Sequence, residues 1–478
     1  MDEIIARALD TARLRGARYA DARLIDTVEQ ELAVKNGRVA GLTSSDSAGL
    51  GVRVLVGDSW GFAATRDLTA PAAEQAAALA VHIAHASALA PNGPVDLGPP
   101  VLSRGTYTTP LQVNPFAVSI EDKLAVLMAA DAGMARIPGV TVRQANLGFL
   151  REHKRFASTD GADLEQVLYE GGGGITALAV TDDDVQRRSY PSAYRQQGTG
   201  GWEFVLGLDL PGHAERVAAE AVQLLSAEPC PHGHATVIIG GEQLALQVHE
   251  SVGHPTELDR VFGAEAAYAG ATFLTPDLLG NFQFGSPHVN LTADALRPTG
   301  LGTFGWDDEG VPAMSSPVVR DGRFVGYLMS RETAPRLGLE SNGCMRAEGW
   351  NRLPLIRMNN VSLEPGDWSL DDLIADTGDG LYLESNRSWS IDDRRYNFQF
   401  GAEVGYEIKG GKLGRLLRDC TYTGITPVFW NSCDAICGPA HWQMWGTPNC
   451  GKGQPSQVMH TGHGAAPARF RNVRVGVF

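Results

Sequence analysis

The run ATVIIGGEQLALQVHESVGH, Ala235 to His254, constrains this chain more than any other stretch, because it asks for a fold that turns two imidazoles and a carboxylate toward one point. A short β-branched segment, Thr236 to Ile239, leads through Gly240 and Gly241 to apolar positions at Leu244, Leu246 and Val248. That pattern reads as a buried strand, a glycine turn and a helix. His249, Glu250 and His254 stand at its end. Histidines four apart share one helical face, but these are five apart. Five residues at about 100° each put the second ring about 140° around an ideal helix. Both rings therefore reach one ion only where the helix bulges or unwinds. Gly253 and Pro255 supply the means: glycine relaxes the backbone beside His254, and proline disfavours helical geometry there.

The residue types fit a metal. Neutral imidazoles suit zinc, and a catalytic zinc takes three protein ligands with one position open for water. Glu250 is then the general base, taking a proton from a water whose pKa zinc lowers to about 7, as the oxygen attacks a carbonyl polarised by the metal. One more protein ligand is needed, and spacing does not choose it. Cys433 and Cys437, in CDAIC, are set like a loose metal knuckle with His441 nearby; Cys450 is in NCGKGQP; His460 and His463 are in HTGHG.

Charge and composition exclude several classes. The 40 basic residues against 55 acidic ones leave a net charge of -15, and no block of lysine or arginine occurs, which speaks against nucleic acid or an anionic membrane as partner. The start, MDEIIARALDTARLRG, reads as an amphipathic helix without the basic and apolar regions of a signal peptide. No apolar run reaches the roughly 20 residues of a membrane helix. A cytoplasmic protein is expected, with its six scattered cysteines reduced.

Along the chain, Asn36-Gly37, Gly57-Asp58, Asp321-Gly322 and Gly410-Gly411 are hairpin signals between β-rich segments. Helices are expected at about 3–15, 68–89, 120–135 and 213–227, with His82 and His85 on a solvated surface. Pro91 to Pro110 reads as a loop crossing. Gly171 to Gly174 lack the lysine and hydroxyl residue of a phosphate-binding loop and read as a loop or bend where backbones approach. Asp307, Asp308 and Glu309 read as a solvated turn, and Asp392 to Arg395 as an exposed loop of compensating charges. With a boundary at the prolines 229 and 231, the expected architecture is α+β: a mixed α/β domain over 1–230, then a predominantly antiparallel β domain over 231–478 that carries the metal helix.

These residues resemble the TldD/PmbA metalloproteases, also called gyrase-modulator proteins. HESVGH matches the His-Glu-x-x-x-His signature of that family. The likeness continues through GTFGWDDEGVPA, DGRFVGYLMSRETA, RLPLIRMNN, DGLYLES, FQFGAEVGYEIKGGKL and NCGKGQP, with YADARLID and GLGVRVLVGDSWGFA near the start. The resemblance implies zinc (Zn2+) held by His249, His254 and Cys450, with Glu250 as general base, on the catalytic, TldD-like side of the family. It further implies unfolded or extended peptides as substrates and a homodimer or a heterodimer with a PmbA-like subunit. The alternative is a scaffold subunit with a structural zinc that depends on such a partner for activity. CDAIC and the tryptophan-rich segment 429–445 are not part of the family pattern.

Overall fold

The computed structural model describes residues 2–90, 93–193 and 195–476. Its first half is one antiparallel sheet in the order Ser59–Thr65, Arg38–Val56, Tyr19–Lys35, Val140–Ser158 and Asp163–Val180, with Arg104–Thr108 added in parallel at the edge. Asn36-Gly37 closes the first hairpin with both residues at positive φ, the geometry an Asn-Gly turn favours, and Asp321-Gly322 and Gly410-Gly411 do the same later. The expected helices appear as Asp2–Leu14, Ala70–Ser87, Ile120–Ala135 and Leu210–Leu224.

Alternation along Tyr19–Lys35 explains how the sheet is used. Ala20, Ala22 and Leu24, then Leu32 and Val34, face the four helices in two apolar clusters. Asp21 and Arg23 point the other way, toward the second half of the chain, because successive side chains of a strand alternate between faces.

Gly171 to Gly174 are not a loop but the interior of the strand Asp163–Val180, paired with Val140–Ser158 on one side and Gln196–Thr199 on the other. Backbones do approach there: a Cβ on Gly172 would lie 2.4 Å from the Gln196 carbonyl oxygen. The crossing from Pro91 to Pro110 contains the strand Arg104–Thr108; Pro91 and Asn92 lie outside the described residues.

Asp307, Asp308 and Glu309, read from the sequence as a solvated turn, are buried. Lys154 Nζ donates to Asp308 Oδ1 at 2.8 Å, and Arg23 Nη1 is 3.7 Å from Asp308 Oδ2. Arg53 binds Asp21 at 2.6 Å and reaches Glu309 at 3.3 Å. Burial works against the Asp308 charge, but Lys154 and Arg23 outweigh it and hold the carboxyl below its ordinary value. The charged face of the first sheet is thus neutralised by the turn of the second half. Asp308→Ala strands buried Arg23 without its counter-ion and leaves Lys154 only Glu152, at 3.1 Å, a loss of about 3–5 kcal/mol of stability by the cost of breaking a buried pair. Urea unfolding of the variant checks it; a midpoint equal to that of the parent chain would show the network to be idle.

Beyond residue 231 antiparallel pairing dominates, consistent with an α+β protein. Gly233–Ile239 pairs with Gly380–Ile391 and with Ala468–Val475. Ala468–Val475 continues to Cys420–Ile425, and that strand to Asn397–Lys409. Asn397–Lys409 returns to Gly380–Ile391, so the five strands close into a ring. Aromatic residues fill it, with Phe429 stacked on Phe470 at 4.0 Å and Phe400 on Tyr422 at 5.7 Å. Against this core lies the helix Gly241–Val248, whose Gln243 and Gln247 bond the Tyr422 hydroxyl at 3.1 and 3.2 Å.

Candidate metal centre

The strand Gly233–Ile239 delivers the chain into the helix Gly241–Val248 through two glycines, and a Cβ on Gly241 would sit 2.9 Å from the Ala465 carbonyl oxygen. Leu244, Ala245 and Val248 are buried, which fixes the rotation of the helix before the histidines arrive. The helix then widens. His249–Gly253 form a π turn in which the His254 N–H donates to the His249 carbonyl five residues back. Residues five apart now stack, with the rings of His249 and His254 4.8 Å apart and nearly perpendicular. The bulge expected from the five-residue spacing is present.

The bulge disturbs the helical ladder, and nearby hydroxyls satisfy the freed carbonyls. Ser251 Oγ donates to Gln247 O at 2.5 Å, and Thr256 Oγ1 to Val252 O and Gly253 O at 2.8 Å each. Gly253 is required by space: a Cβ there would lie 1.9 Å from Met358 Sδ.

Cys450 arrives from the hairpin of Gln443–Lys452 and Gln457–Ala465, opposite Met459 and just past a register shift at Thr447. Ligand atoms of His249, His254 and Cys450 lie within 4.8 Å of one another, and all three residues are buried. Cys450 Sγ is 3.7 Å from His254 Nε2. Burial holds both imidazoles below their ordinary pKa, in the neutral form that ligates. Burial pushes the Cys450 thiol up, but the pull in the other direction, led by the Arg357 guanidinium, leaves it lowered, favouring the thiolate. Two neutral imidazoles and a thiolate, with no fourth protein donor grouped among the described residues, suit a zinc site with one open position.

Behind His254 stands Glu257, whose Oε2 is 3.0 Å from His254 Nδ1. A carboxylate accepts there, so His254 Nδ1 carries the proton and Nε2 is left toward Cys450. Glu257 is braced by buried Lys452 at 3.3 Å and Arg260 at 3.8 Å, and Lys452 also binds Asp259 at 2.8 Å and Glu265 at 3.4 Å.

Glu250 is 6% exposed and its Oε2 is bonded by Arg395 Nη1. Of the stretch Asp392 to Arg395, read from the sequence as an exposed loop, Asp393 and Arg394 are exposed but Arg395 is turned inward. Asp392 accepts from the Tyr396 and Asn397 amides, Thr426 Oγ1 donates to Arg395 O, and Arg395 is held at φ 63 with its side chain 13% exposed. A left-handed conformation at arginine is costly, and here it aims the guanidinium at Glu250.

These groups line a cleft of about 1030 Å³ whose other walls include Leu246, Trp389 and Trp445. The tryptophan-rich segment is thereby divided: Phe429 and Trp430 fill the ring of strands, and Trp445 faces the cleft.

The other candidate ligands are not gathered here. His460 Nδ1 is 2.6 Å from Glu170 on the first sheet, and His441 Nε2 accepts from the Leu370 amide. Cys433 and Cys437 are buried in apolar clusters. His463 touches the cluster indirectly, with Nε2 2.8 Å from His249 Nδ1. Sequence reasoning missed Glu257, although its spacing of three from His254 was a usable signal; nothing local pointed from Glu250 to Arg395, 145 residues on.

The same chain matches known proteins from near its start to its end. Models of PmbA/TldA metallopeptidases match in three parts: domain 1 over residues 20–84, the central domain over 113–227 and the C-terminal domain over 232–476. A metalloprotease of Methanocaldococcus jannaschii is 30% identical over 85% of this chain and 86% of its own. One of Methanothermobacter thermautotrophicus is 28% identical over 96% and 95%. The crystal structure of a Thermotoga maritima protein named for modulating a DNA gyrase superposes with a TM-score of 0.78 at 19% identity, covering 99% of this chain and all of the other, a likeness of fold.

Proposed function

The chain belongs to the PmbA/TldA metallopeptidase family, and on that premise we propose that it is a zinc-dependent peptidase acting on unfolded or extended peptides. One observation carries this reading: His249, His254 and Cys450 converge on a point beside Glu250, at the wall of an open cleft. Zinc is preferred over harder cations because the donors are imidazole and thiolate rather than oxygen. His249, His254 and Cys450 would hold it, and when bound it supplies Lewis acidity toward a peptide carbonyl and toward water.

The rest of the work falls to this chain's own side chains. Glu250 takes the proton of the attacking water and passes it to the leaving amine. Arg395 holds one carboxylate oxygen of Glu250, so the base is oriented before substrate arrives. The cleft accepts a peptide in extended form, and Leu246, Trp389 and Trp445 offer its side chains apolar surface. Because thiolate ligation tempers the electrophilicity of zinc, placement of the peptide matters more than it would with three imidazoles.

The proposal includes a division near residue 230, a homodimer or a pairing with a PmbA-like subunit, and a cytoplasmic setting. The last is supported by six buried cysteines that form no disulfide. Among the described residues no helix is long and apolar enough to cross a membrane.

The purified chain, with zinc quantified, is incubated with casein and the products read by mass spectrometry. Fragments are expected, lost on chelation and restored by zinc. A zinc-filled chain that yields none overturns a self-sufficient peptidase and favours the scaffold reading, in which a partner subunit supplies activity.

A further inference from the structure

The second histidine of HTGHG is fully buried in the strand Gln457–Ala465. Its Nδ1 lies 2.8 Å from the Val361 carbonyl oxygen and its Nε2 2.8 Å from His249 Nδ1. A carbonyl only accepts, so Nδ1 of the neutral His463 ring carries the proton and Nε2 has a lone pair. That lone pair faces His249 Nδ1, which must therefore be the donor. The remaining nitrogen of His249, Nε2, is left unprotonated.

We propose that His463 is a positioning residue that fixes the tautomer and ring orientation of His249, so that His249 Nε2 is presented as a metal ligand. This rests on the metal reading above. The two rings meet nearly edge to face, with centroids 4.8 Å apart and planes at 87°. The anchor is main chain and cannot rotate away: Val361 lies in the strand Val361–Leu363, and the hairpin is tied to that segment by Gly462 N to Asn359 O at 3.2 Å and Gly464 N to Ser362 Oγ at 2.8 Å. Thr461 Oγ1 stands 3.1 Å from the same Nε2 but can give its own proton to the Thr447 carbonyl oxygen at 3.5 Å, which leaves the Nε2 lone pair to the shorter contact with His249.

The two proposed ligand histidines are thus oriented by different chemistry. His254 leans on the carboxylate of Glu257, itself balanced by Lys452 and Arg260. His249 leans on a neutral imidazole, which orients it without adding a second buried negative charge that would need its own cation.

The test is zinc affinity, measured by competition with a chelator on the full chain. His463→Gln keeps a neutral donor for Val361 O and an acceptor for His249, whereas His463→Leu keeps bulk and neither hydrogen bond. The leucine variant should bind zinc about 10–100-fold more weakly, the range for losing a partner behind a ligand. The glutamine variant should stay within a few-fold of the parent, and His460→Ala, two residues away on Glu170, should not change affinity. Melting of the metal-free variants reports on folding. Independently, nitrogen-15 histidine spectra of the metal-free parent, assigned with the glutamine variant, should show His249 and His463 protonated at Nδ1.

Equal affinity of leucine variant and parent, equal weakening by leucine and glutamine, or His249 protonated at Nε2 would each overturn the proposal. A parent chain that takes up no zinc would instead bring down the metal reading, and this proposal with it.

Discussion

Glu250→Gln is expected to abolish peptide cleavage while leaving zinc content unchanged. The amide has the shape of the carboxylate and can still accept a hydrogen bond from Arg395 through its oxygen, so the π turn and the facing loop keep their geometry. It cannot take a proton from water. Removing a positioned general base costs about 10²–10⁴-fold in rate, and the loss should appear in kcat rather than in KM, because the cleft walls that hold a peptide are untouched. The comparison is made at equal zinc occupancy on one peptide substrate. A variant that cleaves at the parental rate would remove Glu250 from the mechanism and direct attention to another base in the cleft.

Cys450→Ala should act on the other half of the chemistry and strip the site of metal. Two imidazoles remain, and the thiolate that Arg357 favours is gone. The expected fall in zinc affinity exceeds the roughly 10–100-fold cost of losing a partner behind a ligand, since here a ligand itself is removed. Folding should survive: the Arg357 side chain bonds the Cys450 carbonyl, which alanine retains, and the hairpin register opposite Met459 is set by the main chain. Zinc per chain after gel filtration decides the matter. Full occupancy in the alanine variant would mean that another group completes the site. Cys450→Ser, which restores a weaker oxygen donor, should fall between the two.

Local features of the chain were readable wherever a few neighbouring residues dictate the backbone. Asn36-Gly37, Asp321-Gly322 and Gly410-Gly411 announce hairpins because few other residue pairs tolerate two positive φ angles in succession. The strand, glycine turn and helix before His249 follow from β-branching and apolar spacing. The bulge that follows is implied by a five-residue spacing beside Gly253 and Pro255. Readings failed where a local pattern meets a distant partner. Four glycines look like a loop until the strands Val140–Ser158 and Gln196–Thr199 pair with them. Asp307 to Glu309 look solvated until Lys154, Arg23 and Arg53 arrive from the first sheet. Arg395 looks as exposed as its neighbours Asp393 and Arg394 until it meets Glu250 across 145 residues of chain.

By itself, then, the sequence determined the pair of histidines, the adjacent acid, the distortion needed to aim both rings, and a short list of third donors. Those depend on backbone preferences within a turn or two of helix, where few conformations compete. Spacing left Cys450, His460 and His463 open, and only the tertiary structure gives each its place: it carries Cys450 to His254, sets His463 behind His249 and turns His460 to Glu170. All three sit on one short hairpin. Which of them faces the histidines is fixed by the register of Gln443–Lys452 against Gln457–Ala465 and by strand alternation, where a slip of one residue exchanges the two faces.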